Sequence, residues 1–548
     1  MDNIITENSS KNIENNTVLN KNNKIENSAF WTLLVTIAIA PIVFTTYTFS
    51  PIDLIKYNII SYGVLISGIL FLISVFKTKN ISIPKHNISL GVAMIVVSIF
   101  ISTFLSPNII KSFFGQGFEA NTASFILIII FSAFLLYNFV KNNSERVLYI
   151  YSGLLFSAIV LFLFQISRMI MGADFIDFGV FPLLTSTPIG KWNDLGIFSS
   201  IFILISYFGL KLLNLNKIFK GIFIIIFAIS SLTIFIVNSS IILGILSLIF
   251  LLISIYEFSI KKSIKNGISG FYGKLSILPI IIFIVLSVLT VKGDAVFGKI
   301  INKLDIVNTE AYLPWQYTID IASNTIKESP IFGAGANRFV NQYLKYKPQE
   351  INQTQFFGVE FANGFGNIPS IIVTQGLLGI ILWIFFIIVF SINGYKNLNR
   401  NETENEYLSF LKSSLYFISL SLILANIIYT PSHVIMLFTA IFIGLSFSTI
   451  SVKEYSLNKK LISALLILII IIEILWFSAL IRKSIAVHYF ESGIQAINAE
   501  DKLGFENAEK YFTKSIQFDK SDVYYQALSE NSILKISSLS KELQKQSQ

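Results

Sequence analysis

Apolar runs of about twenty residues recur along the chain, separated by short polar connections. They fall near 29–49, 57–76, 88–106, 123–140, 147–167, 195–211, 219–237, 240–257, 275–291, 369–392, 409–428, 433–450 and 461–481. A helix needs roughly 20 apolar residues to cross a bilayer core. The pattern therefore predicts an all-α fold, a polytopic transmembrane helical bundle of about thirteen spans, within a range of twelve to fourteen. The seventh and eighth runs are continuous and are divided at Val237, Asn238, Ser239 and Ser240, because one helix of that length would overshoot the bilayer.

Positively charged short loops stay in the cytoplasm, so correctly placed spans should carry lysines on alternate connections. Lys77, Lys79 and Lys85 follow span two, Lys141 and Arg146 span four, and Lys211, Lys217 and Lys220 span six. Lys261, Lys262, Lys265 and Lys274 follow span eight, Lys396 and Arg400 span ten, and Lys453, Lys459 and Lys460 span twelve. The intervening short connections hold almost none. This alternation predicts a cytoplasmic amino terminus and, with an odd span count, a carboxyl terminus outside. The first 28 residues hold nine asparagines and little that could pack, so they are expected to form a disordered cytoplasmic tail. They lack the early apolar stretch of a cleavable signal peptide.

Composition agrees: 53% of residues are hydrophobic and 13% charged, against about 25% charged in soluble proteins. The net charge of +9 is explained by topology and does not point to nucleic acid. With no cysteine, disulfides, thiolate nucleophiles and cysteine-ligated metals are excluded.

Two long connections fall on the outer side, 168–194 and 292–368. The second is too long for a turn, and loops of that size are usually functional. Within it, Trp315, Ile319, Ala322 and Ile326 recur at helical spacing behind Pro314, predicting an amphipathic helix on the membrane surface or capping the bundle. Beyond the last span the chain turns polar with helical period at 484–498, 505–518 and 521–540. Ala508, Phe512 and Ser515 match the small, aromatic, small spacing of a tetratricopeptide helix, with Tyr524 and Tyr525 opening the next. A plain helical hairpin is the alternative. Barely one repeat unit is present, so this segment, 483–548, is expected to lean on the outer loop or on a protein partner.

Four segments in order carry a family resemblance: TPIGKWNDLGIF at 187–198, IVNSSIILG at 236–244, SPIFGAGANRF at 329–339 and GLLG at 376–379. Together with the span count, they make residues 30–450 similar to the O-antigen ligase and O-antigen polymerase superfamily of bacterial envelope proteins. The resemblance implies transfer of a glycan from an undecaprenyl diphosphate carrier to an acceptor hydroxyl at the outer leaflet of the cytoplasmic membrane, with no cofactor or metal. Such chemistry needs cations or backbone N–H groups on the diphosphate, a base for the acceptor and an apolar groove for the polyprenyl tail.

Arg338 is the first diphosphate candidate, because a guanidinium fork matches phosphate oxygens. Asn337 adjoins it, and Gly333 and Gly335 would let backbone amides approach. Lys191, with Asn193 and Asp194, sits where the first outer connection enters the membrane, and Arg168 is a third cation. The dull alternatives are a solvated loop arginine and a lysine snorkelling to the interface. Where the family places a histidine and an asparagine, this chain has Phe365 and Gly366. His433 is the sole imidazole within reach of the outer side, and Glu360 is the other candidate base. Asn352, Asn363 and Asn367 would orient sugar hydroxyls or cap turns. Two other readings stand beside the enzyme: a transporter of a lipid-linked sugar, which calls for ionisable residues within spans, and a catalytically inactive scaffold presenting its terminal helices.

Overall fold

A computed structural model describes residues 24–46, 52–79, 81–116, 119–263, 278–303, 310–354, 356–399, 405–454, 459–498 and 502–546. Most of the expected amino-terminal tail, and Lys265, Lys274 and Arg400, lie outside these residues. The described chain is built almost wholly from helices. They are α1 (24–39), α2 (Asp53–Thr78), α3 (Asn87–Phe104), α4 (Ile109–Phe114), α5 (Ala123–Val140), α6 (Arg146–Met171) and α7 (Trp192–Leu212). There follow α8 (Lys217–Val237), α9 (Ser240–Ser263), α10 (Leu278–Lys303), α11 (Trp315–Glu328) and α12 (Phe339–Tyr346). The last are α13 (Asn367–Leu398), α14 (Glu406–Ile428), α15 (His433–Ser448), α16 (Lys459–Ile497), α17 (Lys502–Phe518) and α18 (Asp522–Gln546).

Among the described residues, ten helices are long and apolar enough to cross a membrane, and two shorter apolar stretches, Leu278–Val291 and His433–Ser448, stand at the ninth and twelfth predicted runs. This is a multi-pass membrane protein. Of these ten, α7 and α14 are the most enclosed, with 83% and 78% of their apolar windows buried, while α8 and α16 face outward at 22% and 17%. Aliphatic side chains on those outer faces, such as Ile218, Ile225, Leu468 and Leu475, are exposed as a lipid-facing surface requires.

Contacts between connections sort into the two ends the lysine alternation predicts. At the lysine-rich end a short strand β1 (Pro84–Lys85) pairs antiparallel with β2 (Lys453–Glu454). Lys141 pairs with Glu454, Arg146 with Glu26 and Lys211 with Glu257. At the opposite end Asn121 Nδ2 donates to Asn363 Oδ1 at 2.7 Å, Lys191 Nζ to the Thr430 carbonyl at 2.6 Å and Lys483 Nζ to the Gly115 carbonyl at 2.9 Å. The division at 237–240 also holds: α8 stops at Val237, and Asn238 takes a left-handed conformation with φ 47°, which asparagine tolerates.

Four expectations are revised. In the first run, 29–49, the helix ends at residue 39, because Pro41 cannot continue it, and 47–49 lie outside the described residues. The carbonyls of Ala40 and Pro41 instead accept bonds from the fully buried Lys56 Nζ at 2.6 and 3.2 Å. α10 runs past residue 291 to Lys303, with no proline to stop it, so the second outer connection begins later than 292. α11 starts behind Pro314 as expected but buries Thr318, Ile321, Ala322 and Thr325 against α13, leaving Trp315 and Ile319 half exposed. The span at 461–481 and the helix at 484–498 are one helix, α16, since no glycine or proline separates them.

At the carboxyl terminus α17 and α18 form where expected. Ala508, Phe512 and Ser515 are fully buried, and Ser515 Oγ donates to the Ala486 carbonyl at 2.7 Å. Tyr524 is buried and Tyr525 exposed. The segment leans on the body. Lys483 Nζ bridges Asp519 at 2.7 Å, and Lys111 pairs with Asp522 at 3.1 Å, a contact that holds the Asp522 carboxyl below its ordinary pKa.

Candidate functional site

α3, α5, α13, α14 and α15 line a cavity of about 140 Å³ that reaches from Asn121, Asn363 and Asn367, at the end away from the lysine-rich connections, inward to Ile443. Its walls are apolar, including Ile95, Ile129, Trp383, Phe386, Met436 and Ile443, and its polar lining is neutral. Asn121, Asn363, Asn367, Asn426 and Thr439 supply that lining together with Ser370, Thr374 and Gln375. Asn367 Nδ2 donates to Asn426 Oδ1 at 3.1 Å, and Asn426 Nδ2 to Thr439 Oγ1 at 2.9 Å.

Beside it lies a cluster of charges. Asp194, fully buried in the first turn of α7, accepts from the backbone N–H of Lys191 at 3.3 Å and of Ser432 at 3.2 Å. Lys191 is exposed, with its ammonium on the Thr430 carbonyl and 5.4 Å from the Tyr429 ring centre. Glu310 receives the Asn193 N–H at 2.8 Å, the Asn193 amide at 2.9 Å and the Tyr429 hydroxyl at 2.8 Å. Burial, with Asp194 and Glu310 nearby, pushes the Tyr429 hydroxyl's pKa well up, so it remains a donor. His433 is buried against Tyr57 and Phe125, with Nδ1 3.5 Å from the exposed Asp53 carboxylate. The cluster meets the cavity through Asn367, whose N–H donates to the Tyr429 carbonyl at 3.3 Å.

The SPIFGAGANRF segment has a different task from the one expected. α13 breaks at Gly376, with φ 67° and ψ −162°. The loop fits into the break: Ala334 and Gly335 donate N–H groups to the Val373 and Thr374 carbonyls, both at 2.9 Å. Leu377 and Leu378 donate to the Pro330 and Ile331 carbonyls at 3.0 and 3.1 Å. A Cβ at Gly333 would lie 2.5 Å from the Gly376 nitrogen, and one at Gly376 would lie 2.5 Å from the Ile331 carbonyl oxygen. A broken helix at membrane depth is tolerated where protein satisfies its freed backbone groups. The amides of Gly333 and Gly335 are thus engaged within the protein rather than presented to a diphosphate.

Other expected site residues scatter. Arg168 is fully buried and donates only to backbone carbonyls, of Ala173, Phe181, Leu183 and Ser186, so it organises the first outer connection and is not free for a phosphate. We expect Arg168→Met to leave those carbonyls unsatisfied and to cost about 3 kcal/mol. Thermal unfolding in detergent, and faster proteolysis within 172–186, would register it. Arg338 is half-buried at the start of α12 and feels the carboxylate of Asp522, placing it at the contact with the terminal helices. Asn337, left-handed at φ 55°, reaches the Lys111 carbonyl at 3.5 Å. Glu360 and Asn352 are exposed on the outer loop, outside the cluster's hydrogen bonds. Of the residues expected to converge, the structure brings together Lys191, Asn193, Asp194 and His433, with Asn367 at the boundary.

Sequence reasoning missed Asp53, Glu310 and Tyr429. The signal for Asp53 was a carboxylate three residues before Lys56 at the mouth of an apolar helix. Glu310 and Tyr429 carried none.

Fold and site define a multi-pass helical membrane protein with a charged cluster at one end of an apolar chamber. No protein-family model matches the sequence, and no curated protein matches it.

Proposed function

We propose that the protein moves a glycan from an undecaprenyl diphosphate carrier to an acceptor hydroxyl at the outer leaflet of a bacterial cytoplasmic membrane, with its amino terminus inside and its terminal helices outside. The observation that supports this reading best is the junction at Asn367 and Tyr429, where an apolar chamber meets a cluster containing an exposed lysine and a histidine–carboxylate pair. The chamber takes the first part of the polyprenyl chain, and the asparagine amides face sugar hydroxyls. Lys191 lies against the diphosphate. The acceptor's proton passes to His433, oriented by Asp53. The acceptor oxygen then bonds to the anomeric carbon as its bond to phosphate breaks, and undecaprenyl diphosphate leaves.

The test is transfer by the purified protein in lipid vesicles, supplied with undecaprenyl diphosphate glycan and candidate acceptors. Lys191→Ala should lower transfer by about 10²-fold, the scale of removing one stabiliser of a developing anion. No transfer to any acceptor, or an unaltered rate in the variant, overturns the reading. Transport of a lipid-linked sugar is the second reading, favoured by Glu473, a carboxyl buried within a span. It predicts carrier crossing the bilayer without glycan transfer. A scaffold role is favoured by Ile533 and Ile536, exposed on α18 as an apolar face for a protein partner.

A further inference from the structure

α16 presents most of its side chains outward, with Ile472 and Leu475 exposed at 52% and 64%, yet Glu473 between them is only 5% exposed. It turns inward between α2 and α5. A Cβ at Gly68 would lie 2.1 Å from Glu473 Oε1 and 2.4 Å from Phe131 Cε1, so the carboxyl occupies the space that the glycine leaves open. Gly68, Phe131 and Glu473 each fall near the middle of their apolar runs, 57–76, 123–140 and 461–481, so the three meet near the bilayer midplane. Neither carboxyl oxygen has a hydrogen-bond partner among the described residues.

An ionised, unpaired carboxylate at that depth is costly by several kcal/mol. The surroundings also argue against a metal cation, which needs several oxygen ligands, because an aromatic edge and a glycine form the wall. Neighbouring titratable groups are turned elsewhere. On α2 the Tyr62 hydroxyl bonds Ser484 at 2.6 Å, and on α5 Tyr137 stacks on Phe447. On α16 itself Lys483 is held by Gly115 and Asp519.

We propose that Glu473 is a proton-binding site at the bilayer midplane, and that α16 packs against α2 and α5 while this carboxyl carries its proton. Because α16 runs unbroken from the membrane to Ile497, the site's occupancy reaches the helices docked through Lys483. Packing is complete where the acid is protonated and weakens as pH rises and the proton leaves. This inference does not depend on glycan transfer.

The test uses the full chain in vesicles of phosphatidylethanolamine and phosphatidylglycerol, treated with dicyclohexylcarbodiimide. The reagent's carbon bonds to a carboxyl oxygen while the carboxyl proton moves to a reagent nitrogen, and nothing leaves, so only the acid form reacts. Mass spectrometry should find the adduct on Glu473 at neutral pH, lost at alkaline pH and unaffected by sodium chloride. The wild-type thermal midpoint should fall between neutral and alkaline pH further than that of Glu473→Gln, whose amide copies the neutral acid's shape. An unmodified Glu473 at neutral pH in folded protein, protection by sodium, or identical pH profiles for the two proteins would overturn the proposal.

Discussion

Gly376→Ala should abolish stable folding of the bundle. A side chain at φ 67° costs roughly 1–2 kcal/mol by itself. The added Cβ would also lie 2.5 Å from the Ile331 carbonyl oxygen and 2.6 Å from the Gly333 nitrogen, and both are backbone atoms that cannot rotate aside. Relief requires the loop to leave the helix break, which gives up the four backbone bonds joining 330–335 to 373–378. At about 1 kcal/mol each, and more where a group is left unpaired in a membrane, the total is about 5 kcal/mol or more. Such a loss is comparable to the whole stability of many proteins. The measurement is recovery of a monodisperse peak after detergent extraction, with thermal unfolding of whatever survives. Gly333→Ala should behave alike, since its Cβ meets the other side of the same junction. Gly221→Ala is the control: that glycine lies in a helix with nothing within 4 Å, and alanine there should be neutral or stabilising by up to about 1 kcal/mol. A Gly376→Ala protein as stable as this control would mean that the loop does not hold the break.

Hydrophobic period made the bundle legible, because lipid forces backbone groups to be satisfied within each segment and so leaves long apolar helices as the signature. Lysine alternation gave the two ends, and the contacts at each end agree with it. What the sequence could not convey was the partner of each polar residue. Arg168 and Lys191 look alike as cations at outer helix ends. One is swallowed by the carbonyls of its own loop, and the other keeps its ammonium at the surface, a difference set by the path of residues 172–186. The FGAG turn was visible as a place where backbone comes close to something. That something proved to be α13 itself, far along the chain at Gly376. Glu473 is plain in the sequence within a run of isoleucines and leucines. Its inward turn toward Gly68 comes from packing that no local pattern records.

The cluster around the 429–433 connection has contributions from four distant parts of the chain: the start of α2, the start of α7, the segment before α11 and the junction of α14 with α15. An acid–base role for it makes His433 and Asp53 unequal. His433→Ala, removing the group that would take the acceptor's proton, should lower kcat for glycan transfer by about 10²–10⁴. Asp53 is a positioning residue, 3.5 Å from Nδ1, and Asp53→Asn should lower kcat less while leaving KM for the carrier unchanged. Asp53→Glu should recover part of the rate, because the carboxylate can still orient the ring. A purely structural Asp53, serving only the first turn of α2 as an acidic residue at a helix start, would make the asparagine variant nearly silent in kcat. Losses in folding rather than chemistry would instead appear in the thermal midpoint of both variants. Equal activity of His433→Ala and wild type at matched folded concentration would remove the base from the mechanism and leave the apolar chamber as a lipid site without transfer chemistry.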